Sequence, residues 1–174
     1  MDFALTTARL MLRPFRPEDV QPLFAILQAP GIMQYFPTPT TPDVARVERL
    51  IARQIEGWEQ RRRTFWALEW RATGELLGWC GLQYLPDTDE TEVGYLLARP
   101  WWGQGIATEG ARCAVAFGFD DLGQNEIIGV THPKNTASQN VLKKAGLTFT
   151  GAAHYFGIDV FRFAAQNPNG NALD

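Results

Sequence analysis

Apolar and polar residues first alternate in RLMLRPF, which predicts an opening strand over residues 9–14. The period then lengthens. In RPEDVQPLFAILQ, Val20, Leu23, Phe24 and Leu27 fall three or four apart on one helical face, behind the helix-start residues Pro17, Glu18 and Asp19. A Pro- and Thr-rich loop follows over 29–43, yet it holds Ile32, Met33, Tyr35 and Phe36. Large apolar groups in an irregular loop either plug the core or roof a pocket. Thr41, Pro42 and Asp43 then open a longer helix, with Val44, Val47, Leu50, Ile51, Ile55 and Trp58 in one stripe.

TFWALEW, ELLGWCGLQYL and TEVGYLLA read as three strands joined by the turn sequences RATG and PDTDE, hence an antiparallel meander. Gly78, Gly81 and Gly94 inside them mark bulges or close backbone approach. A helix over 108–122 turns Ala111, Val115, Phe119 and Leu122 inward. EIIGVTH is a short buried strand. NTASQNVLKKAG is a helix, with Asn135 as its N-cap and Gly146 as its stop. LTFTGAAHYFG and DVFRFAAQ form a final strand pair. The order β-α-α-β-β-β-α-β-α-β-β predicts one α/β or α+β domain over 1–166, a sheet with helices on its faces. The tail 167–174 is expected to be disordered.

Composition narrows the function. The net charge of −3 opposes a nucleic-acid binder that tracks phosphates. Arg61, Arg62 and Arg63 form the one dense basic run, which is either a solvated helix end or a phosphate contact. Cys80 and Cys113 make neither a disulfide framework nor a zinc cluster, so both read as small core residues of a reducing compartment. No apolar run is long enough to span a membrane and the start is unlike a signal peptide, so a cytoplasmic location is expected.

The candidate chemistry lies in RPWWGQGIATEG, residues 99–110. Gly103 and Gly105 allow positive φ just before a helix begins at about Ala107. A first helical turn has unpaired N–H groups and a partial positive charge, so this is either an anion seat or a tight strand-to-helix turn. It is not a P-loop, because the Lys-Ser/Thr pair is missing. Nor is it a dinucleotide fingerprint, because Thr108 stands where a third glycine belongs and the preceding strands form a meander.

EVGYLLARPWWGQGIATEGARCAVAFGF followed by NTASQNVLKKAGLTFTG resembles the GNAT superfamily of acetyl-CoA-dependent N-acetyltransferases. Together with the opening LTTARLMLRPFRPEDVQPLF, it is most similar to the branch of ribosomal-protein N-terminal alanine and serine acetyltransferases. The resemblance covers about residues 6–163. It implies a mixed, mostly antiparallel twisted sheet, splayed in the middle, with helices on both faces. It also implies acetyl-CoA as cosubstrate, no metal, and a monomer or homodimer.

In this family the loop after the fourth strand binds the coenzyme A pyrophosphate. The resemblance places that role on the backbone of Trp102, Gly103, Gln104, Gly105, Ile106, Ala107 and Thr108. Trp102 stands where the wider family has Gln or Arg. Leu96, Leu97 and Ala98 would pair with the pantetheine arm as a neighbouring strand would. Asn135 matches an asparagine near that arm, besides being an N-cap.

The implied reaction is direct attack by a primary amine on the thioester, without a covalent enzyme intermediate. An α-amino group of pKa about 8 must lose a proton, and the departing thiolate must be stabilised. Glu92, beside the splay, is the expected base, with His154 and Asp159 as rivals. Many members use a tyrosine four residues before the helix-ending glycine to serve the thiolate. Leu142 stands there, and Ser138, three residues after Asn135, matches the branch's serine. Tyr35, Phe36, Trp66, Tyr155 and Phe156 could line the acceptor pocket, while Trp101 and Trp102 suit packing at the sheet end. Glu90 and Glu92 are too few for a polyamine pocket, so a peptide or protein N-terminus, or a small amine, is expected. The alternative is a catalytically silent acyl-CoA sensor on the same fold.

Overall fold

The computed structural model describes residues 3–60 and 63–170. RLMLR forms a strand, β2 (Leu10–Arg13), preceded by a two-residue strand β1 (Leu5–Thr6) too short to show a period. Helices α1 (Val20–Leu27) and α2 (Val44–Gln60) follow. The meander is β3 (Phe65–Trp70), β4 (Glu75–Leu85) and β5 (Glu90–Leu97). Then come α3 (Ile106–Asp120), β6 (Glu126–Thr131), α4 (Thr136–Lys144), β7 (Thr148–Tyr155) and β8 (Ile158–Gln166).

The sheet order is β1-β2-β3-β4-β5-β6-β8-β7. All its pairs are antiparallel except β5–β6, which touch in register only at Glu92 and Ile128. Beyond that point the two strands part. The meander is tightly fitted on the other side of β5. Gly78 sits opposite an irregularity between Leu68 and Glu69, and a Cβ there would collide with the Leu96 carbonyl oxygen.

Strand alternation gives the sheet two apolar faces. On one, Leu77, Val93 and Leu97 pack with Ile106, Ala111, Ala114 and Leu142 from α3 and α4. On the other, Ala67, Trp79 and Leu96 pack with Leu23, Leu27, Val47 and Ile51 from α1 and α2. Val44, expected in the α2 stripe, is exposed, and Leu50 and Ile55 are only half-buried. Cys80 is buried and Cys113 half-buried, both as free thiols.

Arg13 is buried between two carboxylates. It donates to Asp19 at 2.8 Å through both terminal nitrogens and to Glu69 at 2.6 Å. Its bonds to Asp19 hold its pKa above the usual arginine range, against the cost of burial. Asp19 also accepts the Arg16 N–H at 2.8 Å, fixing the entry to α1.

Arg61 and Arg62 lie outside the described residues. Arg63 stacks over the Tyr84 ring at 5.0 Å. The expected disorder does not begin at Asn167. Its N–H donates to the Asn125 carbonyl at 2.8 Å and its side chain to the Gln124 carbonyl at 3.0 Å, while 171–174 lie outside the described residues. Among the described residues, no helix is long and apolar enough to cross a membrane.

Candidate active site

The glycine loop turns as its composition requires. Gly103 and Gly105 have φ of +74° and +76°, and α3 starts at Ile106. Among the described residues, the main-chain N–H groups of 103–108 find no acceptor, and the first α3 bond runs from the Glu109 N–H to the Gly105 carbonyl. The Trp102 N–H is already spent on the Arg99 carbonyl at 3.1 Å, so the free run of amides begins at Gly103, one residue later than expected. Ile106 and Thr108 bury their side chains and contribute backbone alone.

The chain's opening braces this loop. Arg9 donates to the Gln104 carbonyl at 3.0 Å and to Glu109 at 2.7 Å, and Glu109 also accepts from Thr7 at 2.6 Å. Burial raises the Glu109 pKa, but these bonds outweigh it and leave the carboxyl below its usual range.

The loop leads into the gap beside β5. Ala98 donates to the Leu77 carbonyl at 2.7 Å, so strand alternation turns the backbone groups of Leu96 and Ala98 toward β4 and those of Tyr95 and Leu97 toward the open edge. Of the three residues expected to pair with an extended ligand, only Leu97 faces that edge. Its carbonyl accepts the Trp102 indole N–H at 2.6 Å.

Glu92 stands where the strands diverge and is buried. Burial lifts its pKa to about 7. Hydrogen bonds from Gln83, at 2.5 Å, and from the Val130 N–H pull it down, and the nearby Glu90 charge pushes it up. The Val130 N–H therefore goes to a carboxyl where a closed sheet would use it for the ladder.

Tyr95, the third residue along, points to the opposite face, toward α4. Its hydroxyl lies 3.0 Å from the Ser138 carbonyl and 2.9 Å from Ser138 Oγ. Burial pushes the phenol well above its ordinary pKa. Asn135 is the N-cap of α4, with Oδ1 accepting the Ser138 N–H at 3.1 Å. Leu142, in the expected tyrosine position, is buried against the same cleft.

A cleft of about 380 Å³ joins these groups. Glu92, Gln83, Tyr95, Asn135 and Ser138 line it, and Tyr35, Phe36, Trp79 and Phe156 wall it. Tyr35 stacks on His132 at 5.3 Å. The 29–43 loop does both jobs left open for it: Ile32 plugs the core, and Met33, Tyr35 and Phe36 form the roof.

Trp66 is not in the cleft. It is fully buried against Trp58 and Phe117 and donates to the Phe3 carbonyl at 2.8 Å. Tyr155 is also turned away, donating to Glu90 at 2.6 Å. The β7–β8 turn explains this. Phe156 and Gly157 both adopt positive φ, which delivers the neighbouring Phe156 ring to the cleft instead. His154 and Asp159 pair with each other at 2.9 Å on the exposed hairpin, outside the cleft. Gln83, Tyr95 and His132 were missed. Strand parity sets Tyr95 on the face opposite Glu92 and so did not mark it, and nothing in the pattern marks the other two.

A family model described as "Acetyltransferase (GNAT) domain" matches residues 9–148. The chain belongs to the GNAT acetyltransferase family. As a GNAT member it is an acetyl-CoA-dependent N-acetyltransferase with the acyl-CoA N-acyltransferase fold. It is 35% identical over 158 residues to FsC-acetyl coenzyme A-N(2)-transacetylase of Aspergillus fumigatus, a match covering 83% of this chain and 64% of that protein. In fold it is similar to a GNAT-family acetyltransferase from Bacillus anthracis, with a TM-score of 0.83 at 18% identity, covering 95% and 99% of the two chains. It is likewise similar to RimL, the ribosomal L7/L12 alpha-N-protein acetyltransferase in complex with coenzyme A. That TM-score is 0.79 at 18% identity, with 93% and 96% covered.

The residues present suit the coenzyme. A run of unpaired amides at a helix start accepts a diphosphate, and an open strand edge accepts an extended amide chain. Among the described residues, no cluster of His, Cys, Asp or Glu is arranged to hold a metal ion.

Proposed function

We propose that this GNAT acetyltransferase acetylates the amino group of a peptide or protein N-terminus, or of a small amine, by direct attack on acetyl-CoA. The observation that carries the reading is Glu92: a buried carboxyl with a pKa near 7, at the divergence of β5 and β6, inside an aromatic-walled cleft. Acetyl-CoA supplies the activated acyl group. The chain's residues supply position and protons. The amides of 103–108 hold the diphosphate. The Glu92 carboxylate takes a proton from the incoming ammonium, whose pKa of about 8 lies close to its own. Ser138 Oγ donates a hydrogen bond to the departing sulfur.

The acceptor class rests on the cleft walls. Tyr35, Phe36 and Phe156 offer apolar surface, and Glu92 is one carboxyl where a polyamine would need several. The likeness of fold to RimL, named as acting on a ribosomal protein, supports a polypeptide N-terminus and with it a cytoplasmic setting. Leu142 in the tyrosine position is the feature that favours a silent sensor; the Tyr95–Ser138 pair puts a hydroxyl beside the same cleft.

A screen of N-terminal peptides and small amines with acetyl-CoA, read by mass spectrometry, tests the proposal. Acetylated α-amines are expected. Tight coenzyme binding without transfer to any acceptor on a broad panel would mark a sensor.

A further inference from the structure

A second depression opens at the glycine loop, on the α3–α4 side of the sheet. Gly105 and Thr108 form its start, and it continues past Glu109 to Arg112 and Lys144, with Arg9 on its rim. The Arg9 charge is cancelled there by Glu109 at 2.7 Å. The other two cations are not cancelled. Arg112 donates through Nε to the Lys144 carbonyl at 2.7 Å, which fixes its guanidinium beside the end of α4. Among the described residues, neither Arg112 nor Lys144 forms an ion pair.

Glu109 lines the same groove but is taken by Arg9, which leaves two neighbouring cations there without an ion-pair partner among the described residues. The α4 dipole accounts for Lys144 at a helix C-terminus. It does not account for Arg112, which sits on α3 and is held toward the same spot. Coenzyme A carries two separate anionic groups, a diphosphate and a phosphomonoester on the adenosine ribose. The amides of 103–108 suit the first. Arg112 lies seven residues along α3 from Gly105, about 10 Å at the helical rise, on the same face. The ribose is what separates the two anionic groups, and that offset leaves room for it and the reach of the side chains between the two phosphate seats.

We propose that the groove between the first half of α3 and the C-terminal end of α4 is a phosphomonoester subsite, in which Arg112 and Lys144 bind the ribose phosphate of coenzyme A. The assignment rests on the coenzyme reading of the glycine loop. Arg112 makes the oriented contact, since Nε is already held and the terminal nitrogens remain to donate. Lys144 adds a mobile charge.

Calorimetric titration with coenzyme A and with 3′-dephospho-coenzyme A tests it. The wild-type protein is expected to bind coenzyme A at least about tenfold more tightly, the size of one charge-assisted contact. In the Arg112→Met/Lys144→Met variant the ratio is expected to fall to about one, with dephospho-coenzyme affinity unchanged. Lys144→Met alone keeps the carbonyl that holds Arg112, and is expected to lose part of the ratio. Equal wild-type affinities, or a ratio that survives in the double variant, would overturn the subsite while leaving the coenzyme reading intact. Failure of the wild-type protein to bind either ligand would overturn both.

Discussion

The Tyr95 hydroxyl lies 2.9 Å from Ser138 Oγ, so a residue of β5 orients a residue of α4 across the mouth of the splay. Glu92, three positions earlier on β5, projects to the other face of the sheet. The proposed base and the proposed thiolate partner therefore approach the parted strands from opposite sides. This predicts that Tyr95→Phe lowers kcat about tenfold, because the Ser138 hydroxyl loses its orienting partner, with KM for acetyl-CoA within twofold. Steady-state kinetics with both substrates varied checks this. A change confined to KM would move Tyr95 from positioning to coenzyme binding.

Glu92 should show itself in a pH profile. Its carboxyl must be ionised to act, so kcat is expected to rise with pH and level off above about 7. Glu92→Gln is expected to lose 100-fold or more in kcat and to lose that limb of the profile.

The same carboxyl makes a stability prediction of definite sign. Its pKa is about 7 in the folded protein and close to 4.3 in the unfolded chain, so the folded state holds the proton more tightly between those values. The stabilisation is complete below about pH 4 and is lost as pH rises through 7, on the order of 3 kcal/mol in all. Glu92→Gln removes the dependence. Its melting temperature is expected to gain on the wild type from pH 5 to pH 8, and an unchanged difference would contradict the desolvated carboxyl.

Gly105 has φ of +76°, and a Cβ there would sit 3.6 Å from the Arg9 guanidinium. Gly105→Val is expected to cost roughly 1–3 kcal/mol in backbone strain and to weaken coenzyme A binding at least tenfold. Thermal melts and calorimetry report the two effects separately.

Trp66 separates core from cleft. Trp66→Phe removes its hydrogen bond to Phe3 and part of a buried ring, and is expected to destabilise the protein by about 1–3 kcal/mol. KM for the acceptor should not change. A raised acceptor KM at full folding would return Trp66 to the cleft wall.

Much of the architecture was legible along the chain because its signals are local. The meander showed through period-two alternation and its turns, and α4 through Asn135 and Gly146. The glycine loop was legible for the same reason, since positive φ and an open helix start need only adjacent residues. The cleft wall was legible in part. Tyr35 and Phe36 stand in an irregular loop where apolar side chains need an explanation. Trp66 and Tyr155 looked equally available, and neither faces the cleft.

The chain's own pattern determined the elements and the glycine turn into α3, because helix periods, strand alternation and positive φ are set within a few residues. The parted sheet, and with it Glu92 as the carboxyl beside the divergence, came from the family resemblance and not from any local period. Only the tertiary structure decided that Tyr95 meets Ser138, that Gln83 and the Val130 N–H hold Glu92, and that of Tyr155 and Phe156 only the second enters the wall. Those facts depend on which face a strand residue occupies and on what packs opposite it. A one-residue shift of register or turn inverts each, and the partners of Tyr95 and of Glu92 come from other elements, Ser138 43 residues away and Gln83 nine.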